Sequence, residues 1–120
     1  MMKITKDIFR GDISEFPKDK YVYGVDWLIS TKDMNRLFMG FEPINMEDKW
    51  IVYKEKNNIY FHSSWTGYCI YVLSISESKI HMVSINGLTS QYPSAGKIKD
   101  LNLLLDVLKY GFNIDVIRGK

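Results

Sequence analysis

The chain has 120 residues, 16 of them basic and 14 acidic, for a net charge of +2. This length fits one domain with a core of its own, and 46% hydrophobic with 25% charged residues is ordinary globular composition. The lysines are scattered and often sit beside acids, as in Lys6-Asp7 and Lys54-Glu55-Lys56, which excludes the clustered basic stripe of a nucleic-acid binder.

Taken in chain order, Ile4, Ile8, Phe9, Ile13 and Phe16 line a helical face whose length Gly11 and Pro17 limit. Tyr21-Val22-Tyr23-Gly24-Val25 is rich in β-formers and reads as a short strand. Residues 30–39 read as a helix. Ser30 or Thr31 caps it, Asp33 lies in the first turn where the dipole favours an anion, and Met34, Leu37 and Phe38 share one face. Gly40 ends it and Pro43 prevents its resumption.

Residues 50–86 predict an antiparallel meander. Trp50–Tyr53 and Ile59–His62 flank a turn at Lys56-Asn57-Asn58, Tyr68–Ile75 is a third strand, and Ile80–Ile85 is a fourth. The third strand is apolar at both parities. Its pattern places Cys69, Tyr71, Leu73 and Ile75 on one face and Tyr68, Ile70 and Val72 on the other. Such a strand is covered on both sides. The second cover comes from the amino-terminal region, a second subunit or a ligand, and a homo-oligomer is expected on this ground.

Residues 87–97 form a loop of small residues. Residues 97–110 form the strongest helix, with Ile98, Leu101, Leu104, Leu105 and Leu108 on its apolar stripe, Ser94 or Gly96 at its start and Gly111 at its end. Residues 112–117 alternate and read as a closing edge strand. The fold class is therefore α+β: one domain over 1–120, an antiparallel β-meander of four to six strands packed by a C-terminal helix and a shorter N-terminal helix.

No intrachain disulfide is possible with one cysteine, Cys69, which favours a reducing compartment. Charges interrupt the first residues every few positions, and no window approaches the roughly 18 apolar residues of a membrane span, so a cytoplasmic protein without a membrane partner is expected. The two histidines, His62 and His81, do not have zinc-site spacing, and no metal or other cofactor is expected. His62 and Ser64 share a strand parity, but no Gly-x-Ser-x-Gly elbow accompanies them. Ser94-Ala95-Gly96-Lys97 opens a helix and offers amides and a lysine to an anion, although a capped helix with a solvated lysine explains the same residues. Trp65 stands among Ser64, Thr66 and Gly67. An indole in so polar a loop is either a lid over the core or a platform for a ligand ring.

The segment from Trp50 and Tyr53 through Ile59-Tyr60-Phe61-His62-Ser63-Ser64-Trp65-Thr66-Gly67 to Ile70-Tyr71 covers about 22 of the 120 residues. It resembles a family of small, largely uncharacterised bacterial and phage proteins marked by a Phe-His-Arg-Ser-Trp-Thr-Gly segment between two strands. Some members stand joined to or near macro and ADP-ribosylglycohydrolase domains. This chain departs from the pattern at Ser63, where the family has arginine. The resemblance implies a nucleotide-related setting and no particular reaction.

Together these features lead to the expectation of a small binding protein rather than an enzyme. Its expected ligand is a nucleotide-like or NAD-derived molecule, held by His62, Ser64, Trp65, Thr66 and Gly67 with Arg36 or Lys97 on a phosphate, and in a bacterial or phage immunity setting its expected role is to sequester a signal. The alternatives are a protein-interaction module or inhibitor, and a small hydrolase using His62 or His81.

Overall fold

A computed structural model describes residues 3–9 and 13–119. Its elements are β1 (Lys20–Ile29), α1 (Thr31–Met39), β2 (Trp50–Glu55), β3 (Asn58–Ser63), β4 (Cys69–Ser76), β5 (Lys79–Asn86), α2 (Lys97–Asp106) and β6 (Val116–Arg118). The six strands form one antiparallel sheet in the order β2-β3-β4-β5-β1-β6. The meander is thus β2 to β5. It arises because β2 and β4 each end in a tight turn, where Lys56 and Glu77 take positive φ, and a short loop returns β3 to β4.

Both helices supply side chains to one face of this sheet. Met34 and Leu37 of α1 join Leu104 of α2 and Leu108 in a single buried cluster with Val52, Ile59, Phe61, Leu73, Val83 and Ile85. Ser30 caps α1 by accepting from the Asp33 amide at 3.1 Å, and Gly40 closes it at φ +79, a conformation that favours glycine. Leu104 and Leu108 are fully buried, each contributing about 1.5–3 kcal/mol of apolar burial.

Four elements differ from the sequence reading. The amino-terminal apolar residues make only a 3-10 turn, Lys6–Phe9; Gly11 and its neighbours at 10–12 lie outside the described residues. Phe9, Ile4 and Ile13 instead cover Ile51, Tyr53 and Tyr60 on the second face of the sheet. The short strand expected at 21–25 runs from Lys20 to Ile29, because Trp27 and Ile29 continue the inward alternation into the core. On the C-terminal helix, Ile98 is exposed and Asp100 is buried in its place. Asp100 accepts hydrogen bonds from the Ser94 hydroxyl and, at 3.0 Å, from the Ala95 amide, which fixes the entry to α2. The regular helix ends at Asp106, and a π turn, Val107–Gly111, follows. The closing strand is confined to Val116–Arg118.

A register shift between Phe61 and His62 also re-aims β4. Tyr71 pairs with Phe61 and Cys69 with His62, which leaves Ile70 unpaired against β3. Cys69 therefore belongs with His62 on the second face, while Ile70 and Tyr71 both enter the main cluster. Asn86, fully buried at the end of β5, ties this region together. Its Nδ2 donates to the Cys69 carbonyl and to Gln91 Oε1, and its Oδ1 accepts from the Leu88 amide, each at 2.8 Å.

Candidate functional site

The connection from β3 to β4 is a hairpin closed by the Ser63 amide donating to the Tyr68 carbonyl at 2.9 Å. Gly67 donates to the Ser63 carbonyl at 2.8 Å and sits at φ +80, where a side chain is disfavoured. Its carbonyl is a hub, accepting from the Ser14 amide and from His62 Nδ1, both at 2.9 Å. Since that carbonyl only accepts, Nδ1 carries the proton, and Nε2 accepts from the Tyr53 hydroxyl at 2.9 Å. His62 is buried with both ring nitrogens engaged, and burial lowers its pKa by penalising the imidazolium. Burial likewise raises the pKa of the Tyr53 hydroxyl and of the Cys69 thiol. Tyr53, His62 and the Gly67 carbonyl thus form a satisfied interior chain under the loop, while Cys69 Sγ lies apart from it, 3.7 Å from the Tyr71 carbonyl.

The loop itself is clamped to the segment that precedes β2. The Ser64 amide donates to the Lys49 carbonyl at 2.9 Å, the Ser64 hydroxyl to the Asp48 carbonyl at 2.6 Å, and Trp65 Nε1 to the Met46 carbonyl at 3.0 Å. The facing segment is braced from within. Asp48 Oδ2 accepts from the Ile44 amide at 3.0 Å, and Asn45 Oδ1 from the Glu47 amide at 2.9 Å. Between the two lies an open cleft of about 700 Å³ whose walls include Trp65, Thr66, Ile44 and Met46 and whose lining also includes Phe9 and Ile51. Trp65 is 71% exposed, Ile44 86% and Met46 85%. Glu42 is the one charged residue among the described residues that line it.

The expected site residues are thus distributed. Ser64, Trp65, Thr66 and Gly67 line the cleft, Ser64 with its hydroxyl committed to Asp48 and Gly67 through its backbone. His62 lies beneath, sealed from it. Arg36 belongs to an adjoining cavity of about 560 Å³, with Asp33 at 3.5 Å and the Phe41 ring beneath its guanidinium. Lys97 lies over the Tyr23 ring, at the start of α2, and does not line the cleft. His81 is exposed on β5. Among the described residues no serine, threonine or cysteine is hydrogen-bonded to a histidine, whose one side-chain partner is the buried Tyr53 hydroxyl, and no group of metal-ligating side chains is assembled.

Ile44 and Met46 were not singled out from the sequence. The available signal was two large apolar residues in a segment of neither helical nor strand period, between Pro43 and an acidic pair, where nothing predicts a core for them. No helix is long and apolar enough to cross a membrane. Comparison with known proteins finds no matching family model, curated protein or solved structure.

Proposed function

We propose that this chain is a binding protein whose recognition surface is the Trp65 cleft, and that its ligand is a protein segment that inserts apolar side chains there. One observation carries this reading: Trp65, Ile44 and Met46 stand exposed around a single concavity, on two loops that hydrogen bonds lock together. Large apolar side chains held rigidly in water mark interaction surfaces, and tryptophan and methionine are enriched at interface centres. Pre-organisation removes part of the ordering cost of association.

A second reading keeps a nucleotide-like or NAD-derived small molecule, its ring stacked on Trp65. The exposure of the indole and the family resemblance support it. The described lining weighs against it, since Glu42 repels a phosphate and both Arg36 and Lys97 lie outside the cleft.

Peptides selected from a displayed random library against the wild-type protein separate the two. On the first reading the selected peptides are apolar or aromatic, and they bind Trp65→Ala and Met46→Lys at least about tenfold more weakly, a loss of about 1.4 kcal/mol. Selected peptides that bind both variants like wild type would refute it. Titration with NAD and with AMP, read by tryptophan fluorescence and by mass spectrometry of molecules released on denaturation, reports on the second.

A further inference from the structure

The segment 42–49 is a ridge with a concavity on each flank. The Trp65 cleft lies on one, and the adjoining cavity of about 560 Å³ lies on the other. Glu42 and Ile44 line both, so a ligand that fills the first and crosses the exposed Ile44 side chain meets the second. The ridge is held from both ends. The Phe41 amide donates to the Val52 carbonyl at 2.9 Å, and the Phe41 carbonyl accepts from the Val52 amide at 3.0 Å. At the other end Ser64 and Trp65 bond the carbonyls of Met46, Asp48 and Lys49.

The second cavity differs in chemistry from the first. Phe41 and Phe112, with ring centroids 4.4 Å apart, supply apolar lining, and the π turn Val107–Gly111 brings the largely exposed Tyr110 to its wall. The charged lining is unbalanced. Arg36 is held by Asp33 at 3.5 Å and lies over the Phe41 ring, which leaves Glu42, Glu47 and Asp48 against Lys49 alone. Among the described residues neither Glu42 nor Glu47 is in an ion pair, and both are exposed. A chain of net charge +2 thus carries a local excess of carboxylates beside Ile44 and Met46, the most exposed of its large apolar residues among those described.

We propose, building on the Trp65 cleft as a peptide-binding surface, that the bound protein segment is basic: a large apolar side chain fills the cleft, and a lysine or arginine on the far side of Ile44 enters the adjoining cavity. The alkyl stem of that residue packs on the Phe41, Phe112 and Tyr110 rings, and its charged head meets Glu42 and Glu47. An acidic segment is disfavoured, because Arg36 is already engaged and Lys49 stands among three carboxylates. Long-range attraction does not mimic the effect, since the whole chain and a basic segment carry net charge of the same sign.

Peptides selected from a displayed random library against the wild-type protein are the probe. They should carry a lysine or arginine at a fixed spacing from the apolar anchor. Changing that base to glutamine should weaken binding at least about threefold, the range of exposed ion pairs, and should cost nothing further against the double variant Glu42→Gln and Glu47→Gln. Added salt should weaken the basic peptide and not its glutamine form. Peptides that need Trp65 but carry no base overturn the proposal and leave the cleft as the binding surface. So do peptides whose base contributes equally against the double variant, and so does a selection of acidic peptides. Peptides indifferent to Trp65→Ala refute the peptide-binding reading itself and the proposal with it. If the double variant does not fold, salt decides: an affinity of the basic peptide insensitive to salt overturns the proposal, and a salt sensitivity absent from the glutamine form supports it.

Discussion

The indole of Trp65 donates to the backbone of Met46 at 3.0 Å while most of its surface faces solvent. An aromatic residue so placed contributes a single bond to the fold. Trp65→Ala should therefore cost no more than about 1 kcal/mol of stability, the net worth of one hydrogen bond, whereas Trp27→Ala, in the core, should cost about 3–5 kcal/mol. Chemical denaturation of the two variants side by side checks this. Equal losses would show that the loop clamp holds the fold and is not mainly a recognition surface.

His62 predicts a pH dependence with a definite sign. Its pKa in the folded protein lies below the ordinary value near 6.5, because burial disfavours the charged ring. The unfolded chain thus binds the proton more readily. The stabilisation is complete above about pH 6.5 and is lost as pH falls through the folded pKa, with a slope of at most about 1.4 kcal/mol per pH unit for one proton. Denaturation midpoints measured from pH 7.5 to 5.5 should decline, and His62→Asn should flatten the decline while lowering stability at pH 7.5.

On α2, Leu104→Ala should cost about 2–5 kcal/mol and Ile98→Ala less than about 0.5 kcal/mol, since the first is fully buried and the second is exposed. Thermal melts of both variants distinguish this orientation of the helix from one in which both residues face the sheet.

Cys69 should resist thiol reagents in the native protein. Its sulfur is buried, and that burial disfavours the reactive thiolate. Labelling with a chromogenic disulfide at pH 8 should proceed only at the rate of unfolding and should reach one thiol per chain in denaturant. Rapid labelling without denaturant would contradict the burial of β4.

The meander, α1 with its Ser30 cap and the leucine face of α2 were legible because each rests on local chemistry: period, cap and turn. The two faces of β4 were not, since a register shift opposite His62 breaks the alternation on which parity reasoning depends. Asp100 was read past because its reach back to Ser94 and Ala95 is a tertiary choice that a polar residue at a helix start does not announce. At the candidate site, the small polar neighbours of Trp65 located the loop. They did not reveal its facing wall, because Ile44 and Met46 meet it only through contacts between segments distant in sequence. His62 illustrates the reverse: a residue type associated with chemistry, placed here as a structural post between Tyr53 and Gly67.

The position of β1 in the sheet has a kinetic consequence. Within the meander, partners are close along the chain, as Glu55 is to Asn58 and Ser76 to Lys79. β1 instead pairs Lys20 with Asn86 and Leu28 with Lys79, contacts that close a loop enclosing α1 and three strands. Closing so long a loop costs chain entropy before any contact rewards it. The amides of β2 to β5 accordingly gain protection from solvent exchange first during refolding, and those of β1 and β6 gain it last.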